Sequence, residues 1–160
     1  MSIRTIPAAQ WQAVLQMAPS LITEQRRITT NAILSAGEGG NGELGAADTA
    51  ILSVLAYAAP NGDAFEFGTY LGRTTRLLAL ARPDSTVFTI DCHNAKELCM
   101  ERGQPDDAKF CGISRESIGS AFKGTPEATR IIQLWGDSLN YPLQDLYGAM
   151  GIVFVDGGHD

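Results

Sequence analysis

Four short polar stretches carry the residue types that could do chemistry, and each follows an apolar run. The first is Glu66-Phe67-Gly68-Thr69-Tyr70-Leu71-Gly72-Arg73-Thr74-Thr75. The others are Asp91 after TVFTI, Gly136-Asp137-Ser138 after RIIQLW, and Asp156-Gly157-Gly158-His159-Asp160 after GIVFV. A glycine turn between a strand and a helix aims backbone N–H groups at a ligand. An acidic residue at the tip of the next strand can accept hydrogen bonds from both hydroxyls of a ribose. Asp137 and Ser138 are polar groups that could meet the edge of a base. A carboxylate and an imidazole in the last stretch could move a proton or ligate a cation. Singly, each stretch has an ordinary explanation: Asp91 as a turn residue, Ser138 or Asn140 as a helix cap, His159 as a turn stabiliser. Together they form the pattern of a nucleoside-binding crevice.

That crevice needs parallel strands ending side by side. The spacing predicts strands at Ala64–Phe67, Thr86–Ile90, Arg130–Trp135 and Gly151–Val155. A helix over Thr74–Arg82, with Leu77, Leu78 and Ala81 inward, joins the first two into a β-α-β unit with a right-handed crossover. Helical stretches follow near 94–101 and 114–123, with Gly103–Gly112 between them as an insertion, and a short helix spans Pro142–Met150. Ile152-Val153-Phe154-Val155 has no polar alternation, as for a strand covered on both faces. Upstream, residues 8–35 read as helical, and Gly37–Gly45 is a glycine-rich loop. A further helix carries Asp48 in its first turn and Ile51, Val54, Leu55 and Ala58 on one face. The class is α/β, divided into a helical cap and loop over 1–45 and a cofactor-binding part over 46–160.

Composition narrows the partners. The 160 residues carry 12 basic and 18 acidic side chains, a net charge of −6, which argues against a broad basic face for nucleic acid or an anionic membrane. No apolar run approaches a membrane span, and the N-terminus lacks the apolar core of a secretory signal, so a cytoplasmic protein is expected. Cys92, Cys99 and Cys111 are then reduced thiols, and their spacing lacks the paired ligands of a structural zinc site, although His93 adjoins Cys92. A dinucleotide fingerprint, G-x-G-x-x-G, would need a second glycine where Tyr70 stands. A ring there crowds a pyrophosphate, so a ligand without phosphates fits the turn better.

The ordered motifs FEFGTYLGRTT, FTIDC, LWGDS and FVDGGHD resemble those of class I S-adenosylmethionine-dependent methyltransferases. More narrowly they look like the family-24-like group related to catechol-type O-methyltransferases. The likeness covers 64–160. It implies a Rossmann-like methyltransferase fold whose sheet runs 3-2-1-4 here, while the further strands of the usual order 3-2-1-4-5-7-6 are missing. The chain is therefore expected to be a fragment. The resemblance also implies roles. Glu66, Gly68 and the backbone of Thr69 and Tyr70 would hold the methionine part of S-adenosylmethionine, and Gly72 would let the next helix approach. Asp91 would bind the ribose, and Asp137 and Ser138 would lie along the adenine. Asp156 matches the first ligand of a divalent ion, usually magnesium, in metal-dependent relatives, and His159 falls at the acceptor site. Asp156 and His159 are thus the expected catalytic pair, acting on a small-molecule methyl acceptor through a hydroxyl oxygen. A homo-oligomer is compatible with the sequence. Two other readings remain open: a non-catalytic nucleoside-binding module and a nicotinamide-dependent oxidoreductase.

Overall fold

Alternating strand and helix signals build a parallel sheet wherever each crossover packs an apolar helix face on the strands. In the computed structural model, which describes residues 44–103 and 113–156, helix α1 (Ala46–Ala58) leads into β1 (Asp63–Phe67), α2 (Arg73–Ala81) and β2 (Val87–Asp91). Then come α3 (Ala95–Glu101), a 3₁₀ turn at Pro126–Arg130, β3 (Ile131–Trp135), a 3₁₀ turn at Gln144–Leu146, and β4 (Met150–Val155). All pairings are parallel, and the strand order is β3-β2-β1-β4, as expected. The expected cap over 1–43, the centre of the predicted insertion at 104–112, and 157–160 lie outside the described residues.

The core lies between the sheet and the first two helices. Leu52 and Ala56 of α1 and Leu77, Leu78 and Ala79 of α2 close over Ala64 and Val87. The next register layer on the same strand face changes character, because Gln133, Thr89 and Glu66 stand in line across β3, β2 and β1. Inner strand β1 is buried at Ala64, Phe65 and Glu66 in succession, so both its faces are covered.

The fold corrects three local expectations. Residues 114–123 form successive turns rather than a helix. Gly119 and Gly124 take left-handed φ of 72° and 76°, and the segment is pinned outside itself by Gly119 N–H to Tyr70 O and Ala121 N–H to Leu71 O, both at 2.8 Å. The helix predicted over Pro142–Met150 reduces to the single turn Gln144–Leu146, and Gly148 at φ 78° stops any continuation. Among the described residues β4 is covered on one face, not both: Val153 and Val155, which share the other face, are 52% and 71% exposed, and β4 pairs with β1 on one side.

Two arginines fasten the opposite end of the sheet. Arg82, only 7% exposed, donates to the carbonyls of Ala56, Ala59, Pro60 and Gly62 at 2.7–3.3 Å. A cation there also suits the negative end of the α1 dipole. Arg130 reaches Arg82 O, Ser85 O and Ala79 O, finishing α2 in the same way. Gly151 passes so close that a Cβ on it would stand 2.2 Å from Pro60 O.

Candidate cofactor crevice

The turn between β1 and α2 is built from unusual backbone angles. Gly68, Tyr70 and Gly72 have φ of 91°, 46° and 81°. Left-handed backbone is free for glycine but costs a tyrosine ~1 kcal/mol. Asp91, at the tip of β2, supplies the compensation. Its Oδ2 accepts the Tyr70 N–H at 2.7 Å, and its Oδ1 accepts the Cys92 N–H at the same distance. The Thr69 backbone also hydrogen-bonds this carboxylate. Burial pushes the Asp91 carboxyl above its ordinary range, and those backbone bonds pull the other way. Asp91 thus lies where the sequence reading put it, at the strand tip facing the turn. Its hold on the turn itself was not foreseen.

Glu66 lies beneath the turn and is wholly buried. Its Oε2 accepts hydrogen bonds from Thr89 Oγ1 at 2.7 Å and from Thr75 Oγ1, while Oε1 has no protein partner. Desolvation lifts this carboxyl from the usual glutamate range to about 8, against the two hydroxyl bonds and with the negative charges of Asp156 and Asp91 adding to the rise. Thr69 is 3% exposed and turned inward, sharing a 2.7 Å hydroxyl contact with Thr89 and accepting Gln133 Nε2 at 3.0 Å. Thr75, Thr89 and Gln133 were missed as members of the site. The available signal was a polar residue at a core-facing register of an otherwise apolar strand, Thr89 in TVFTI and Gln133 in IIQLW.

Gly72 precedes α2 as its N-cap residue, and its bare α-carbon meets the 113–125 segment. A Cβ there would come within 2.6 Å of the Phe122 ring and 2.8 Å of Gly119 Cα. Gly72 therefore serves close packing of the turn against that segment.

Beyond β3, the Asp137 carboxylate is held by Arg102 Nη2 and Asn140 Nδ2, each at 2.6 Å. The arginine keeps this carboxyl below its ordinary range. Ser138 is exposed beside it. Arg115 stacks over Trp135 at 4.8 Å, closing the tip of β3 from the 113–125 side. Asp156 is exposed directly after β4, its N–H donating to Phe67 O at 2.9 Å, so it is adjacent to the end of β1. His159 and Asp160 lie outside the described residues. The strand tips of β1, β2 and β4 thus bring together Glu66, Asp91 and Asp156, close enough for the second and third to act on the first. Among the described residues no three His, Cys, Asp or Glu side chains converge as metal ligands, at Asp156 or at Cys92 and His93. No helix among them is long and apolar enough to cross a membrane.

No protein-family model matches the chain, and no curated protein matches it. Solved structures do. An S-adenosylhomocysteine-bound methyltransferase of Podospora anserina, PaMTH1, superposes with a TM-score of 0.50 at 14% identity, over 98% of this chain and 61% of its own. The O-methyltransferase TomG of Streptomyces achromogenes, involved in tomaymycin synthesis and crystallised with S-adenosylmethionine, gives 0.51 at 19% identity, over 96% and 63%. The chain spans about three fifths of the length of each. With its 3-2-1-4 parallel sheet, the chain has the Rossmann-like fold of these two methyltransferases.

Proposed function

We propose that this crevice binds S-adenosylmethionine and that the protein transfers its methyl group to a hydroxyl oxygen of a small molecule, in the manner of the catechol-type group. The supporting observation is the Asp91 carboxylate at the tip of β2, tied to the backbone of the Gly68–Gly72 turn. A carboxylate has about four acceptor sites and the turn uses three, so Asp91 keeps capacity for a ribose hydroxyl while holding the turn. The donor set also suits a cation. Asp91 and Asp156 bring negative charge to the strand tips around the buried Glu66, and a positively charged sulfonium and ammonium would offset it.

When bound, S-adenosylmethionine supplies a methyl group activated by its sulfonium. The chain's own work is placement. Asp91 orients the ribose, the backbone around Gly68, Thr69 and Tyr70 faces the methionine part, and Asp137, fixed by Arg102 and Asn140, lies with Ser138 along the adenine. In-line substitution depends mainly on holding the acceptor oxygen and the methyl carbon in aligned contact. Asp156 at the end of β4, or His159 beyond it, takes the proton of the acceptor hydroxyl. The described residues do not assemble a magnesium site, and no step is assigned to that ion.

Calorimetry with S-adenosylhomocysteine and NAD on the same protein tests the binding half. Saturable binding of the first and none of the second is expected, and the reverse result overturns the reading. Methyl-labelled S-adenosylmethionine offered with a panel of phenols and aliphatic alcohols tests the transfer. Binding with no labelled product across that panel would leave a nucleoside-binding module.

A further inference from the structure

The polar layer across the sheet is a continuous run of hydrogen bonds from Gln133 to Glu66. Gln133 Nε2 has two hydrogens, given to Leu134 O and to Thr69 Oγ1, each at 3.0 Å. Turning the amide over would set its oxygen against the Leu134 carbonyl, so the nitrogen faces Thr69. At the other end, Thr89 Oγ1 lies 2.7 Å from Glu66 Oε2 and 2.7 Å from Thr69 Oγ1, so it bridges the two. The relay links Gln133, Thr69, Thr89 and Glu66, and Thr75 of α2 bonds the same final oxygen. Thr69, Thr75, Thr89 and Glu66 are all essentially sealed from solvent. Each hydroxyl has one hydrogen to give, so each link determines the next.

Thr69 is the only member of this relay in the Gly68–Gly72 turn, and its side chain points into the protein. The turn is held from below at two successive residues, Thr69 through the relay and Tyr70 through Asp91. Two strands therefore act on one ligand-facing loop, β3 through Gln133 and β2 through both Thr89 and Asp91.

We propose that Gln133 and Thr89 are positioning residues: by fixing the Thr69 side chain they set the Gly68–Gly72 turn, and through it the grip on the methionine half of the cofactor. This rests on the cofactor reading above. Thr89 is fully buried, and both residues act on the turn through the Thr69 hydroxyl. Their effect falls on the amino-acid half, because the ribose is gripped by Asp91 at the tip of β2, while the turn's backbone faces the methionine.

The test compares Thr89→Val, which keeps the shape and removes the hydroxyl, with Thr89→Ser, which restores it, and with Gln133→Met at the edge of the layer. Affinities for S-adenosylhomocysteine and for 5′-methylthioadenosine, which lacks the amino-acid half, are measured by calorimetry. Amide hydrogen exchange at Thr69–Leu71 is followed in parallel. Thr89→Val and Gln133→Met should weaken S-adenosylhomocysteine about tenfold, the scale of one lost hydrogen bond. Methylthioadenosine should stay within about twofold, and Thr89→Ser should bind like the unmodified protein. Equal weakening of both ligands, or a Thr89→Ser as poor as Thr89→Val, would assign the layer to general stability and overturn the proposal. Should the unmodified protein bind neither ligand, the cofactor reading fails by itself. Faster exchange at Thr69–Leu71 in Thr89→Val than in Thr89→Ser then upholds the relay's hold on the turn, and equal exchange overturns it.

Discussion

The backbone N–H of Tyr70 lies 2.7 Å from Oδ2 of Asp91, a bond that spans 21 residues and ties the first strand's turn to the second strand's tip. It places a positive-φ tyrosine and a half-buried carboxylate in one arrangement. Asp91 shapes the turn, and under the proposed cofactor reading it also accepts from a ribose.

Replacing Asp91 separates these duties. Asp91→Ala should weaken S-adenosylhomocysteine by about 1.5–3 kcal/mol, the range for hydrogen bonds to a charged group, and should also lower stability. Asp91→Asn keeps one carbonyl acceptor, so it should retain part of both. Calorimetry and urea unfolding on the same samples check this, and an unchanged dissociation constant for the alanine variant would remove Asp91 from the site.

Glu66 makes stability depend on pH. Its carboxyl is lifted from 4.5 to about 8 in the folded chain, so between those values the native state binds more protons than the unfolded one. The stabilising contribution is complete below about pH 4.5 and is lost as pH rises towards 8. The slope approaches ~1.4 kcal/mol per pH unit in that window. Asp91, also raised, adds to the same trend at its lower end. Urea unfolding at pH 5.5 and 8.5 should show a marked loss for the unmodified chain and a much smaller one for Glu66→Gln. Parallel pH profiles for the two would refute the assignment.

Arg82 bonds four backbone carbonyls between the end of α1 and the start of β1. Arg82→Met should cost roughly 2–3 kcal/mol, because it removes the donor from four backbone carbonyls, of which Ala56 O is buried, while Gly62 O keeps the Ser85 hydroxyl. Arg82→Lys, with three donors on a single point, should recover only part of that. Thermal unfolding measures both, and a methionine variant within about 1 kcal/mol of the original would contradict the clamp.

Gly151 meets the same clamp from the β4 side. A Cβ at Gly151 would stand 2.2 Å from Pro60 O, which also accepts from Arg82 Nη2 at 2.7 Å. Gly151→Ala should therefore destabilise by about 1–3 kcal/mol through overpacking against backbone. Combined with Arg82→Met it should cost less than the sum of the two, since both disturb one carbonyl. Additive losses would show that the sites are independent.

The class and strand order were legible because apolar runs ending in Gly or Asp punctuate the chain regularly, and a β-α-β spacing leaves few parallel arrangements. Asp91 and the Gly68–Gly72 turn were found for the same reason. Residues 114–123 were misread because Ile118, Ala121 and Phe122 mimic helical spacing. Their actual shape comes from docking on Tyr70 O, Leu71 O and the bare α-carbon of Gly72. The apolar letters of β4 do not state whether a neighbour covers them. The packing of the described elements does, and it leaves the face of Val153 and Val155 uncovered.

Local periodicity and turn chemistry depend on residues a few positions apart, so the sequence by itself determined the α/β class, the four strands and the acidic residues at their tips. Direction and partnership depend on atoms brought together from distant segments. Only the tertiary structure decided that Glu66 is wholly buried beneath the turn. It also decided that Gln133 and Thr89 align with Glu66 in one register layer, and that Asp91 holds Tyr70. Strand register is the physical reason. It sets which side chains share a face, and a shift of one residue would have turned that polar layer to the other side.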